Sequence, residues 1–170
     1  MEHALYRFLE RHQIRHQRFD HPPVYTCEEA ARLTPGLPGA ECKNLFLCDA
    51  KGRQHVLLAV PAAASVDIKA LGELLELKGL RFASPERLQR HLGLTPGAVT
   101  LLAAFNDSER QVAVVIDQEL SRQQAILCHP LANTSTLALP MEELLRFLDL
   151  TGHAPRLVAV PRRQAPSEPR

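Results

Sequence analysis

The sequence predicts a single α+β domain: a curved mixed sheet, largely antiparallel and open like an incomplete barrel, surrounded by helices. Three observations point there. Short apolar runs at 43–48 and 55–60 flank Asp49-Ala50-Lys51-Gly52, the pattern of a β-hairpin. Segments with helical apolar spacing are interspersed with such runs along the chain. The 170 residues, 18.9 kDa, are the length of one domain burying roughly 70% of its unfolded surface.

In order, Leu5, Phe8, Leu9 and His12 share one face of an opening helix over 3–12, with Arg7 and Glu10 opposite. A short strand is expected at 15–20. Pro22-Pro23 then breaks the chain, and Thr26-Cys27-Glu28-Glu29 is a capping box for a short helix ending at Leu33. Pro35-Gly36-Leu37-Pro38-Gly39 cannot continue it and forms a shaped loop. After the hairpin, Ser65 is the expected N-cap of a helix through Leu77, with Ile68, Leu71, Leu74 and Leu75 in one stripe. Ser84-Pro85 starts the next helix, which Gly93 ends. Thr95-Pro96-Gly97 is a turn into an expected strand at 98–102. Further strands are expected at 111–116, 125–128 and 133–139, a helix from Pro140 to Leu150, and an edge strand at 157–160. The domain thus spans 1–160. Residues 161–170, rich in Pro and Arg, lack the apolar surface to order themselves and are expected to be a disordered tail.

Composition limits function. Hydrophobic residues are 45% and charged residues 23%, as in ordinary globular chains. Twenty Lys plus Arg against nineteen Asp plus Glu leave +1, so a nucleic-acid contact must come from a local patch. No 18-residue apolar run and no signal-like N-terminus are present, so no membrane contact and a cytoplasmic location are expected. The four cysteines, Cys27, Cys42, Cys48 and Cys128, contain no Cys-x-x-Cys pair and read as reduced thiols.

Hydrolase-elbow, phosphate-loop and dinucleotide motifs are missing. His12 and His16 have i, i+4 spacing without a third ligand, which makes an exposed helix face the better reading than a metal site. Lys43 stands where a Pro/Gly loop enters an apolar strand: it is either a strand-end lysine reaching water or a cation placed to hold a phosphate or carbonyl. His129 is followed at once by Pro130, which fixes the backbone and aims the imidazole, or else is a turn histidine without a task. Asn106-Asp107 is an ordinary turn pair.

Taken together, His21-Pro22-Pro23 with Thr26 and Glu28-Glu29, Leu37-Pro38-Gly39-Ala40, Lys43-Asn44-Leu45-Phe46-Leu47, Leu94-Thr95-Pro96-Gly97-Ala98-Val99-Thr100, Asn106-Asp107 and His129-Pro130-Leu131-Ala132-Asn133-Thr134 resemble a known family. The chain is similar to free-standing homologues of the bacterial prolyl-tRNA synthetase editing domain, the superfamily of YbaK-like deacylases, over about residues 3–160. Within it, the Lys-Asn pair and the His-Pro-Leu-x-Asn-Thr run resemble the trans-editing enzymes that hydrolyse Ala-tRNA(Pro), whereas Cys-tRNA(Pro) deacylases usually carry Lys-Thr. Many relatives have Pro after Val-Thr where this chain has Leu101.

The resemblance implies ester cleavage without metal or organic cofactor. The partner it implies is the tRNA(Pro) acceptor end, with prolyl-tRNA synthetase as a further candidate, for a monomer or weak dimer. It assigns Lys43 to the terminal adenosine, Asn44 to placing the ester, and His129 to the border of the amino-acid pocket. Substrate-binding positions are Thr26, Leu37, Pro38, Gly39, Phe46, Gly97, Ala98, Pro130 and Asn133. Water is the expected nucleophile. Lys51, Arg53 and Arg81 are expected to touch RNA near the pocket.

Overall fold

A computed structural model describes residues 2–33 and 35–164. The chain opens with α1 (Glu2–Arg11), whose Leu5 and Leu9 are fully buried, followed by β1 (Gln17–Asp20). Helix α2 (Cys27–Leu33) is capped as its sequence demands: Glu29 N–H donates to Thr26 Oγ1 at 3.0 Å, while the Glu29 carboxylate reaches back to Tyr25 N–H at 2.9 Å.

The hairpin of β2 (Cys42–Cys48) and β3 (His55–Pro61) pairs Lys43 with Val60 and Leu45 with Leu58. Every residue of β3 from His55 to Val60 is buried. Its alternate side chains feed two different cores: Leu57 and Ala59 face one shared with α1, while Val56, Leu58 and Val60 face the other. Helix α3 (Ile68–Leu75) closes that second core, and the two-residue strand β4 (Arg81–Phe82) pairs with the end of β2.

Helix α4 (Pro85–Leu92) begins at Ser84, whose side chain accepts from Arg87 N–H, and stops at Gly93. A 3₁₀ turn (Leu101–Asn106) leads to β5 (Val112–Asp117), α5 (Gln118–Ser121) and β6 (Ala125–Cys128). Then come β7 (Ser135–Pro140), α6 (Met141–Leu150) and β8 (Arg156–Val158).

The strands form two open sheets. One is antiparallel in the order β1-β7-β6, and the other is mixed in the order β4-β2-β3-β5-β8, where β3 pairs parallel with β5 and β5 with β8. The expected α+β class with a largely antiparallel, open arrangement is observed, but the strands are divided between two sheets. Among the described residues one isolated parallel bridge, Ala40 to Ile126, links the chain entering β2 to β6. The core between the sheets holds Leu57, Ile116, Leu137 and Phe147.

Several local expectations need correction. The 98–102 segment is not a strand, because Thr100 caps a 3₁₀ turn through its own side chain, which accepts from Leu102 N–H. Asp67 rather than Ser65 caps α3, accepting from Ala70 N–H at 3.0 Å, and the helix ends at Leu75. The expected tail does not begin at Pro161. The Pro161 carbonyl accepts from Asp67 N–H, Arg163 N–H donates to Ser65, and Arg162 donates to Asp117 at 2.8 Å. Polar pairing, not apolar burial, holds 161–164; residues 165–170 lie outside the described residues.

Candidate functional site

A cavity of about 290 Å³ opens where the start of β2 meets the end of β6. Its position follows from that bridge between the sheets. Ala40 N–H donates to Ala125 and Leu127 N–H to Ala40, so the chain entering β2 is pinned against β6 before the strands diverge. Gly39 makes this approach possible, since a Cβ there would stand 3.2 Å from the Ile126 carbonyl carbon and 3.0 Å from Leu127 Cδ2.

Three connections complete the walls. Residues 24–26 hang from the 129–134 turn, with Val24 N–H donating to the Asn133 carbonyl and His21 N–H to the Thr134 carbonyl. The turn at Gly97 follows an Ala98 N–H to Thr95 bond, with Gly97 at φ +88°, where a side chain would be strained. The third wall carries His129. Leu131 in it adopts φ +64°, unusual for a residue other than glycine, held by the strands on either side.

Of the residues expected from the sequence, Thr26, Lys43, Asn44, Gly97, Ala98, His129 and Asn133 line this one cavity. Leu37, Pro38, Gly39, Phe46 and Pro130 do not. Gly39 shapes the approach from behind, and Phe46 is turned into the core, 4% exposed and stacked on His55 with ring centroids 5.6 Å apart. Pro130 is buried beside the histidine it orients. Lys51, Arg53 and Arg81 sit at the opposite end of the hairpin, at least about 17 Å of strand from Lys43, so they do not belong to the cavity.

The polar groups inside are arranged unequally. Asn44 Nδ2 donates to Cys42 Sγ at 3.6 Å, while Asn44 Oδ1 is buried with no partner, an acceptor left for a ligand. Among the described residues Lys43 forms no ion pair. Burial lowers the His129 pKa below the usual imidazole range, the nearby His21 adds to this, and a hydrogen bond to Ser135 opposes it. His129 Nδ1 lies 3.2 Å from the Ser135 carbonyl. A carbonyl only accepts, so Nδ1 carries the proton and Nε2 of the neutral ring keeps its lone pair. Thr100, also in the lining, donates to the His129 carbonyl.

The family model of the aminoacyl-tRNA editing domain matches residues 21–147, a span that contains every residue lining the cavity. The chain belongs to that family. A prolyl-tRNA editing protein, ProX, from Acetoanaerobium sticklandii is 37% identical over 145 residues, 85% of this chain and 88% of its own. Prolyl-tRNA synthetase associated domain-containing protein 1 of Danio rerio is 37% identical over 157 residues, 91% of this chain and 85% of its own. A crystal structure described as a candidate trans-editing enzyme for prolyl tRNA synthetase superposes with a TM-score of 0.69 at 21% identity. It covers 96% of this chain and 98% of that one, which shows that the editing fold is shared.

As an editing-domain protein, the chain is an aminoacyl-tRNA deacylase, a hydrolase of carboxylic esters. The cavity also includes Cys42, Thr100 and Thr136, none of them among the site residues expected from the sequence. Thr100 carried a usable signal, a threonine followed by five apolar residues, which suits an N-cap as well as a strand. Cys42 and Thr136 carried none, because only pairing between the sheets aims them at the cavity. Among the described residues no helix is long and apolar enough to cross a membrane.

Proposed function

We propose that this editing domain hydrolyses Ala-tRNA(Pro) in trans and spares Pro-tRNA(Pro), removing alanine that prolyl-tRNA synthetase attaches in error. The observation that carries the reading is that one cavity gathers Lys43, Asn44 and His129 between two turns. The similarity to ProX and to the prolyl-tRNA synthetase associated proteins supports tRNA(Pro) as partner and the synthetase as source of the substrate.

The physical need for such a pocket is simple. A synthetase site shaped for proline cannot firmly reject alanine, because each missing methylene is worth only ~1–3 kcal/mol. A second site must therefore exclude by size. The wall formed by Gly97–Thr100 and His129–Asn133 is tied together by the Thr100 bond to the His129 carbonyl, which in this reading resists a ring's pushing the two turns apart. Alanine fits between them.

In the reaction, Lys43 holds a phosphate or sugar oxygen of the terminal adenosine. Asn44 Oδ1 accepts a hydrogen bond from the substrate's α-ammonium or ribose hydroxyl, the donors an unpaired buried amide oxygen selects. His129 enters as a neutral ring with its Nδ1–H engaged by Ser135. Water attacks the ester carbonyl, the bond to the terminal ribose oxygen breaks, and that oxygen takes up a proton. Positioning supplies most of the rate for an ester already activated. Deacylation of Ala-, Cys- and Pro-tRNA(Pro) side by side tests this. Ala-tRNA(Pro) should be cleaved fastest and Pro-tRNA(Pro) left intact. Preference for the cysteinyl ester, or binding without cleavage, would replace the reading.

A further inference from the structure

The proposed hydrolysis does not use two thiols that stand in the cavity wall. Cys42 begins β2, Cys128 ends β6, and both line the cavity. The backbone brings them close: Ala40 bridges Ile126 in parallel, and just beyond it Cys42 Sγ reaches the carbonyl of Leu127, the residue before Cys128. Each thiol shifts the other's pKa, Cys42 downward and Cys128 upward. Cys42 Sγ also donates to the Leu127 carbonyl at 3.3 Å and accepts from Asn44 Nδ2 at 3.6 Å. Both are free thiols, as is Cys48, which is buried at the far end of β2, about 20 Å of strand away.

The two sulfurs are not equivalent. The Cys128 thiol pulls the Cys42 pKa down, burial opposes it and Asn44 assists, while Cys42 and burial push Cys128 well up. Cys42 is only partly buried and faces the cavity, which a molecule as small as hydrogen peroxide can enter. The more accessible of the two thiols thus faces the cavity, with the buried one beside it as a resolving partner.

We propose that Cys42 and Cys128 are an oxidation site: peroxide joins them in a disulfide across the pocket wall, which stops the pocket from working until a dithiol reduces it. Cys42 thiolate attacks one peroxide oxygen, the O–O bond breaks, and the departing hydroxide takes a proton to leave as water. The resulting sulfenic acid is attacked by Cys128, which gives up its proton. The S–O bond breaks, and a second water leaves. Two thiols lose two hydrogens and one peroxide becomes two waters. In a reducing compartment such a bond is transient, which suits a sensor better than a permanent brace. Its effect on the site is direct. Cys42 Sγ leaves the Leu127 carbonyl and Asn44 Nδ2, so Asn44 loses the contact that aims its Oδ1, and the strand end preceding His129 is drawn toward β2.

The test uses the full-length protein treated with a small excess of hydrogen peroxide. Peptide mapping should find the Cys42 peptide linked to the Cys128 peptide, with the other two cysteines still alkylatable. The Asn44 side-chain amide signals in NMR should shift on oxidation and return with dithiothreitol. Single-turnover cleavage of Ala-tRNA(Pro) should fall at least tenfold and recover on reduction. Cys42→Ser and Cys128→Ser, each compared with its own untreated rate, should lose the reversible response. Free thiols at both positions after treatment, a disulfide elsewhere, or a linked pair with unshifted Asn44 and unchanged cleavage would each overturn the proposal. Mapping and NMR need no substrate, so they decide it even if the alanyl ester is not cleaved.

Discussion

Thr100 Oγ1 donates a 2.8 Å hydrogen bond to the main-chain carbonyl of His129, and the same oxygen accepts from Leu102 N–H at 3.3 Å. One buried hydroxyl thereby fastens the turn after Gly97 to the turn that carries the imidazole. Thr100→Val preserves shape and removes both bonds, leaving a carbonyl and an amide unpaired. Urea unfolding should show a loss of about 1–3 kcal/mol, and Pro-tRNA(Pro) should become measurably cleavable as the wall loosens.

Lys43→Ala should leave the far-ultraviolet circular dichroism unchanged, because the side chain makes no ion pair among the described residues. A charge-assisted bond to the acceptor end is worth about 1.5–3 kcal/mol, so single-turnover deacylation should fall roughly tenfold to a hundredfold. Full activity in this variant would remove Lys43 from the site.

For His129, burial favours the neutral ring and lowers the pKa, so protonation is displaced to more acid pH. The enzymatic rate, corrected for spontaneous ester hydrolysis, should show no loss attributable to this group from about pH 8 down to about pH 6.5, the unperturbed imidazole value. Loss should set in only below that. A rate that halves near neutrality and follows imidazole protonation would contradict a neutral working ring.

Fold stability should depend on pH through a different histidine. His55 is 4% exposed, and burial, then His91 and Arg87, lower its pKa to about 4. Arg87 Nη1 donates to its Nε2 at 3.2 Å, which only the neutral ring accepts. The unfolded chain protonates this histidine near pH 6.5 and the folded chain does not. The contribution is therefore complete above about pH 6.5 and lost progressively as pH falls toward 4, by up to about 3 kcal/mol. Urea titrations at pH 7.5 and 5 should show it, and His55→Phe should flatten the dependence.

Asp107, whose pair with Asn106 reads as a plain turn in the sequence, is 5% exposed and accepts from Gln111 N–H, Val112 N–H and His153 Nε2. It starts β5 and anchors the segment leading to β8. Asp107→Ala should cost about 3–5 kcal/mol, the penalty for leaving buried partners uncompensated, measured as a lowered urea midpoint. His153→Ala should cost less, since the two amides keep their acceptor.

What the sequence settled was local. Ser84-Pro85 and Gly93 mark both ends of α4, Thr26 and Glu29 cap α2, and the 43–48 and 55–60 runs pair as expected, because caps, turns and hairpins are decided within a few residues. The ordered motifs also indicated the editing family before any coordinates. Tertiary structure decided what depends on distant partners. Leu101 and Leu102 continue an apolar run that reads as a strand after Val99-Thr100, yet the Thr100 cap and burial against the core wind them into a 3₁₀ turn. Asp67 displaces Ser65 as a cap, and Arg162 is tied down by Asp117, far away in the chain. The cavity belongs to this second group. Phe46 and Asn44 share a face of β2, but one ends in the core and the other at the pocket, because only the bridge of Ala40 to Ile126 sets where the two sheets meet and where they part.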